Sequence, residues 1–403
     1  MASRGRVLHL SENLTLPFDR RVWMELNALQ AAGYEVSAIC PMGEGGTEAH
    51  EVLNGIHVWR YPAPPPTHGF ASYVWEFLYC WLQKLRHTLT VLARRGFDVI
   101  HSANPPDTFW TIALPFEVFG VKFVFDNHDL CPELYLSRFG DQRAGSLPHR
   151  LLQLLERIQF ACADLVISTN ESYRQVALER GRMRPSRVRV VRSGPSHQRF
   201  ATVREPDPSL RCGKRFLVAY LGVMAPQDGV DHLLRAAHGL VLERGRDDVG
   251  FTLIGAGDSF DDLVALSRSL GLERVCRFTG RIPDADVERV LATADVCVSP
   301  DPKNPLNDVS TMNKVLEYMA CGKPVVCFDL REHRHSAGEG ALYAEPNRDE
   351  DLASQIARLL DDPPLRQRLG AYNRRRFLDH LAWEHQAGEL LRAYEDLCGT
   401  RRA

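Results

Sequence analysis

The sequence has no paired cysteines. Its ten cysteines stand singly at 40, 80, 131, 162, 212, 276, 297, 321, 327 and 398, mostly in apolar runs and with no Cys-x-x-Cys spacing. Such scatter excludes a disulfide framework or a cysteine zinc site and implies buried thiols in a reducing compartment. No stretch reaches the roughly 18 uninterrupted apolar residues of a membrane span. The start, Met1-Ala-Ser-Arg-Gly-Arg6, lacks the apolar core and cleavage site of a signal peptide. These absences predict a soluble, cytoplasmic protein. Charge of one sign is missing too: residues 1–195 carry 21 Lys or Arg against 19 acids, and the remainder 28 against 32. Neither half is a basic nucleic-acid platform. There are no internal repeats or low-complexity tracts.

What is present is alternation. Short apolar runs rich in β-branched residues, at 6–10, 35–40, 56–61, 98–102, 122–126, 164–169 and 188–192, are separated by helical patterns. That rhythm predicts parallel β-α units. A polar stretch with three prolines at 193–209 reads as an interdomain connection. A second alternation follows, with strands at 216–221, 250–254, 275–279, 295–298 and 324–328, then a helical segment over about 364–397. The expected organisation is an α/β chain with a Rossmann-like domain at 1–195, a linker at 196–213, a second Rossmann-like domain at 214–375 and a helical segment at 376–403. In such sheets ligands bind beyond the carboxyl ends of the strands, so the chemistry is sought in those loops.

Residues 71–96 form a long pattern with Tyr73, Trp75, Phe77, Leu78, Trp81 and Leu82 on one side and Lys84, Arg86, His87, Arg94 and Arg95 towards its end. One reading is a core helix with a solvated basic end. The other is an interfacial helix that approaches anionic lipid or a lipid-linked acceptor.

In the stretch 304–326 a polar loop follows a strand, Ser310 or Thr311 is placed to cap a helix at about Met312, and Gly322 with Pro324 ends it. The helix start around Asn313 offers free N–H groups and a positive dipole end, which suits phosphate. Lys314 and Glu317, three apart, share a helix face, so an ammonium can meet phosphate while a carboxylate accepts from vicinal hydroxyls. An ordinary intrahelical ion pair is the plain alternative.

The segments Tyr220-Leu-Gly-Val-Met-Ala-Pro-Gln-Asp-Gly-Val-Asp-His-Leu-Leu234, Leu253-Ile-Gly-Ala-Gly-Asp258, Phe278-Thr-Gly-Arg281 and Glu317-Tyr-Met-Ala-Cys-Gly-Lys-Pro-Val-Val326 occur in an order and spacing that resembles the family 4 glycosyltransferases. Arg20-Arg21-Val22, Gly33-Tyr-Glu-Val36 and Asp126-Asn-His-Asp-Leu130 extend the resemblance into the first half. It implies a GT-B fold, two doubly wound Rossmann-like domains facing across a cleft, and a retaining transfer of a hexose from a nucleoside diphosphate sugar without a metal. Glu317 would hold the ribose hydroxyls, Gly222 would border the diphosphate, Arg281 would line the base, and His128 would serve the transferred sugar. The leaving phosphate would take the acceptor proton, so charge stabilisation matters more than acid-base groups. Uridine is the base expected from family frequency.

The pattern departs from the family at several places. Eight residues before Glu317, where a first glutamate is usual, stands Val309, with Asp308 adjacent as a substitute. Two cations usual near Gly222 and Gly229 are replaced by Val223 and Asp228, leaving Lys314 and the amides of 310–313 as the internal replacement. No glycine follows the first strand; Arg20 and Arg21 begin a helix there and are candidates for an anion. Asp129 and Glu133, beyond His128, are candidates for sugar or acceptor hydroxyls. Gly255-Ala-Gly-Asp258 lacks the third glycine of a dinucleotide fingerprint, and Asp284-Ala-Asp286 begins a helix, where acids serve as caps. The expected partners are a nucleotide-sugar donor and a saccharide, lipid-linked or small-molecule acceptor, with peripheral membrane contact and no nucleic acid. A GT-B epimerase or phosphorylase, and a binding protein that kept the fold without donor chemistry, are the competing readings.

Overall fold

The computed structural model describes residues 4–43, 45–64, 70–200 and 204–399. The chain divides into two compact units, Met1–Arg192 with Gln386–Ala403, and Ser193–His385.

The first unit is built on β1 (Arg6–Leu10), β2 (Glu35–Pro41), β3 (His50–Leu53), β4 (Ile56–Tyr61), β5 (Val99–Ala103), β6 (Lys122–Asn127), β7 (Leu165–Ser168) and β8 (Val188–Val190). Their order across the sheet is β3-β4-β2-β1-β5-β6-β7-β8, all parallel except β3. The second unit holds β9 (Phe216–Leu221), β10 (Val249–Ile254), β11 (Cys276–Gly280), β12 (Val296–Ser299), β13 (Val325–Phe328) and β14 (Ala341–Ala344). Its order is β11-β10-β9-β12-β13-β14, which is the 3-2-1-4-5-6 order of a dinucleotide-binding fold, with the direction of winding reversed between β9 and β12. Both sheets are therefore doubly wound, as the alternation predicts. Two strands escaped the sequence reading: β3 is polar and half exposed, and β14 is a four-residue Ala-Leu-Tyr-Ala run with little β-branching.

Burial explains why these runs become strands. Val296-Cys-Val-Ser299 and Val325-Val-Cys-Phe328 are buried at every position, as in a parallel sheet covered on both faces. Helices cover them through spaced apolar residues, such as Leu352, Ile356, Leu359 and Leu360 on the helix Asp349–Asp361, whose first turn is acidic. Each fully buried Leu, Val or Phe of this kind contributes about 1.5–3 kcal/mol before entropy is charged. In the first unit one sheet face is apolar, with Leu8, Leu10, Ile100, Phe123 and Phe125 packed under Phe160. The opposite face carries His9, paired in register with His101, and Asp126. A buried polar layer replaces the usual apolar one there.

Of the two readings of the 71–96 helix, the core one does not hold: most of its apolar side is exposed, and its basic end is only partly solvated, with Arg86 and Arg94 exposed. The helix is Phe70–Arg94; Trp75, Phe77, Leu78, Leu82, Leu89 and Leu92 are exposed, whereas Lys84 and His87 are buried. Lys84 pairs with Glu12 and lies over the Phe109 ring, and burial holds its pKa well below the lysine range. Trp81 does face inward and donates to Thr111 Oγ1 at 2.8 Å. The Tyr73 side chain lies outside the described residues.

The stretch expected as the interdomain linker, 196–213, packs with the second unit. Asp207 N–H donates to Thr293 Oγ1, its carboxylate pairs with Arg289, and Pro208–Arg211 forms a short turn whose Arg211 pairs with Asp295. Residues 201–203 of it lie outside the described residues. The segment expected as a separate piece from 376 onwards divides between the units: the π-turn Phe377–Leu381 stays with the second, while the helix Trp383–Gly399 sends Tyr394 into the first, its hydroxyl 2.8 Å from His101 Nδ1.

Candidate functional site

In the second unit the loops after β9 and β12 flank the point where the winding reverses. Tyr318, on the inner face of the helix Asn313–Ala320, pins them: its hydroxyl accepts from Leu221 N–H at 2.8 Å and donates to the Val298 carbonyl at 3.1 Å. Met312 is the N-cap and provides no side-chain hydrogen bond. Ser310, expected with Thr311 as a cap, has its Oγ donating to the Leu306 carbonyl, which closes the 3-10 turn Asn307–Val309 on itself. The first-turn amides of a helix have no intrahelical partner, which suits an anion.

Lys314, in the first turn, is buried. Its ammonium donates to Asp301 Oδ1 at 2.5 Å and Asp228 Oδ1 at 3.2 Å and lies 5.3 Å from the Tyr220 ring centre. Burial pulls its pKa down, but Asp301, Tyr220 and Asp228 outweigh that and hold it above the ordinary lysine range. Burial likewise pushes the Asp228 carboxyl up, with Lys314 opposing. Asp301 is steadied by Ser299 Oγ at 2.5 Å, and His333 Nε2 lies 3.3 Å from that hydroxyl. Gly222 lies close under these side chains: a Cβ there would come within 2.8 Å of Lys314 Cε and 2.7 Å of the Tyr220 hydroxyl. Gly229, at φ +65°, lets its loop lie against the Pro300 carbonyl, 2.1 Å from where a Cβ would fall.

Glu317 lies one turn on, partly exposed, with Arg199 NH1 3.7 Å from its carboxylate; Arg199 also approaches Asp284 and Glu288. Glu317 and Lys314 do not pair with each other in the plain i, i+3 fashion, since each has another partner. Asp308 turns away, accepting from the Arg331 backbone N–H at 3.0 Å at the start of the helix Arg331–Ala337. Its carboxylate is engaged as a cap there. Asn313 is exposed at the helix start, Thr311 is half-buried, and Arg281 is exposed just past β11. Gly255 and Gly257 approach the backbone of Gly222 and Met224, a packing role, and Asp284 opens the helix Asp284–Thr293.

In the first unit, His128 follows β6. Its Nε2 lies 2.5 Å from Asp126 Oδ2 and 2.8 Å from Arg21 Nε, so the ring accepts from the arginine or donates to the carboxylate according to its tautomer. Arg21 is buried and donates to Asp126 Oδ1 at 3.0 Å and to the Val191 carbonyl at 2.9 Å, with Glu25 3.0 Å away. The expectation of an anion at Arg21 is corrected by these contacts: carboxylates of the same unit already surround it. Arg20, beside it, is exposed. Burial would raise Asp126, but Arg21, His128 and His101 outweigh it and hold its carboxyl well below the usual range. Burial pushes Glu25 well above its range, Arg21 opposing and Asp126 adding. His9, Glu25 and His101 each place a ligand atom within 4.8 Å of the others, the kind of set that can hold a metal ion. The guanidinium of Arg21 already supplies positive charge there.

The sequence reading missed Asn104. Its Oδ1 accepts from His128 N–H at 2.7 Å and Asp129 N–H at 3.1 Å, while its Nδ2 donates to Asp107 and to the Asp129 carbonyl. It sits directly after β5, and that position was the only signal. Burial raises the pKa of Asp129. Glu133, expected near the acceptor, is held by Arg180 through two bonds of 2.6 and 3.0 Å. Asp228, Asp301 and His333 were also missed as members of the Lys314 cluster, because nothing in their spacing relates them.

Two family descriptions match the chain: "Glycosyl transferase 4-like domain" over residues 19–194 and "Glycosyl transferases group 1" over residues 215–362. The chain is a GT-B glycosyltransferase of the family 4 type. Among curated relatives, the α-maltose-1-phosphate synthase of Mycolicibacterium smegmatis is 28% identical over 69% of this chain and 73% of its own length. The 2-deoxystreptamine glucosyltransferase of Streptomyces kanamyceticus is 29% identical over 46% of this chain and 47% of its own, so that match spans about half of the relative. The fold of this glycosyltransferase is shared with sucrose-phosphate synthase from Thermosynechococcus elongatus, at TM-score 0.79 and 19% identity over 98% of this chain and 99% of that one. It is shared also with Anabaena HepE in complex with UDP-glucose, at TM-score 0.69 and 15% identity over 97% and 100%. The enzyme is thus a hexosyltransferase acting on a nucleotide-sugar donor. Among the described residues no helix is long and apolar enough to cross a membrane.

Proposed function

We propose that this glycosyltransferase transfers a hexose with retention from a uridine diphosphate sugar to a hydroxyl of a saccharide, lipid-linked saccharide or small natural product. The observation that carries the reading is Lys314, a buried, charged ammonium in the first turn of a helix at the switch point of a 3-2-1-4-5-6 sheet. Lys314 and those amides, with Ser310, Thr311 and Asn313 at the loop edge, take the diphosphate. Glu317 takes the ribose hydroxyls and Arg281 borders the base, while Gly222 leaves room for the phosphates and Asp308 keeps the loop in place. UDP as the carrier is supported by HepE, solved with UDP-glucose.

In the transfer, the bond from the anomeric carbon to the leaving phosphate oxygen breaks as the acceptor oxygen bonds on the same face. The acceptor proton passes to the departing phosphate, so this chain supplies charge stabilisation and no metal is required. From the first unit, His128 and Asp129 serve the sugar, and Arg20, Arg21 and Glu133 shape the acceptor side, the last two through their ion pairs. The exposed apolar stripe of the helix Phe70–Arg94 supports peripheral contact of a cytoplasmic enzyme with the inner membrane face, in polysaccharide or lipid-linked saccharide assembly.

One observation favours the second reading, a nucleotide-binding protein without transfer: the charge of Lys314 already meets two carboxylates. Incubation with a panel of sugar nucleotides, followed by mass spectrometry of slow donor hydrolysis, separates the two. Hydrolysis of one UDP-sugar that Glu317→Ala abolishes supports the transferase. Binding of UDP with no hydrolysis or transfer supports the other reading, and no binding of any nucleotide sinks both.

A further inference from the structure

A second cationic site lies in the first unit, in the segments that lead into β7 and β8. Arg157 and Ala161 on the helix Leu147–Cys162, and Arg180, Gly181, Arg182, Met183, Arg184 and Arg187 before β8, line an open cavity of about 520 Å³. His128 follows the carboxyl end of β6, whereas these segments precede β7 and β8, so the cavity is at the opposite edge of the same parallel sheet. It is separate from the residues given roles above, except that Arg180 reaches inward from its wall to Glu133 and Glu156.

The arginines are not alike. Arg180 is neutralised by those two glutamates. Arg157, Arg182, Arg184 and Arg187 are exposed, and their guanidinium groups make no hydrogen bond or ion pair with any described residue. Elsewhere this chain pairs its arginines freely, as at Arg174 with Glu171, Arg189 with Asp396 and Arg246 with Asp248. Four uncompensated guanidinium groups around one concavity repel one another, and a polyanion relieves that repulsion. Guanidinium is always charged and matches phosphate oxygens in bidentate fashion. Arg182 adds a separate sign, for it adopts φ +53°, a left-handed conformation that a non-glycine side chain rarely takes. The turn that holds it is tight, because a Cβ on the preceding Gly181 would fall 2.6 Å from the Ala177 carbonyl.

We propose that this cavity binds a phosphate-bearing ligand with at least two negative charges. Its source is either a lipid headgroup or a free polyphosphate. Leu147, Leu151 and Leu154 are exposed on the helix that carries Arg157, at spacings of three and four that continue to that residue, which favours the lipid-borne phosphate.

The test uses the full chain and inorganic pyrophosphate, titrated calorimetrically into wild type, Arg184→Gln/Arg187→Gln and Arg182→Gly, with thermal unfolding as a check on folding. The donor residues are intact in all three, so the difference between them reports on the cavity alone. Co-sedimentation with vesicles of phosphatidylcholine, with and without phosphatidylglycerol, forms the second arm and adds Leu151→Ser/Leu154→Ser. We expect the arginine variants to unfold at or above the wild-type temperature and to lose at least about tenfold in pyrophosphate affinity, a difference that shrinks with salt. Loss of vesicle binding in both the arginine and leucine variants assigns the phosphate to a lipid; loss of pyrophosphate binding alone assigns it to a soluble ligand. If the arginine variants match wild type in both arms, the proposal is wrong.

Discussion

The ammonium of Lys314 lies 2.5 Å from the Asp301 carboxylate, and Asp228 approaches from the other side at 3.2 Å. A cation at a helix start that suits phosphate is thus held by two anions before any ligand arrives. Phosphate binding and this pairing compete for the same charge.

Removing either side of the cluster therefore has opposite effects on binding. Lys314→Ala leaves the buried Asp301 and the part-buried Asp228 without their cation, and we expect a loss of about 3–5 kcal/mol in stability together with loss of nucleotide binding. Asp228→Asn keeps a polar partner and removes one negative charge, so its affinity for UDP should rise several-fold in calorimetric titration. An unchanged or weakened affinity in Asp228→Asn would show that the pair does not oppose the ligand.

Asn104→Ala tests the bracket on the His128 loop. The backbone N–H groups of His128 and Asp129 both lose their acceptor, at about 1–3 kcal/mol for each group left buried and unsatisfied. Thermal unfolding should fall by several degrees, and turnover should fall with it. Asn104→Asp, which keeps an acceptor oxygen, should recover much of the loss, and equal behaviour of the two variants would count against the bracket.

Burial lowers the pKa of His9 well below 6.5, with His101 adding to the effect. Above the unfolded histidine value of about 6.5 both states are neutral, and this group's contribution is fully present. As pH falls below it, the unfolded imidazole gains a proton that the folded one refuses, so stability declines, by at most about 1.4 kcal/mol per pH unit. His9→Gln should flatten the fall in unfolding temperature between about pH 6.5 and 5. A wild-type curve that is already flat there would exclude a neutral, buried His9. Asp126, held low by Arg21, acts in the same direction at more acid pH, below its unfolded value of about 3.9.

The apolar stripe on the helix Phe70–Arg94 should matter only at an interface. Trp75 and Leu78 are about half exposed, at 56% and 47%, so Trp75→Ser/Leu78→Ser should leave unfolding within about 0.5 kcal/mol of wild type. It should weaken co-sedimentation with lipid vesicles. Lower stability with unchanged vesicle binding would assign these residues to packing instead.

The amino-acid sequence alone determined the doubly wound architecture, because buried parallel strands need continuous β-branched runs and their covering helices need spaced apolar residues, and both are local patterns. It also marked the loop 126–130, which leaves β6 directly, and the helix start at 313–317, which closes the polar loop after β12. Three matters were decided by tertiary structure. Lys84 and His87 read as a solvated helix end but are buried, because the pattern of a helix does not say which face meets the sheet. Asp228, Asp301 and Lys314 are 73 and 13 residues apart along the chain, taken in order from Asp228 to Asp301 to Lys314, and only the winding of β9 beside β12 brings their charges together. The arginines of 180–187 are plain in the sequence as a basic run. That four of them with Arg157 border one cavity, and that Arg180 alone is neutralised, follows from where the glutamates of two other helices fall.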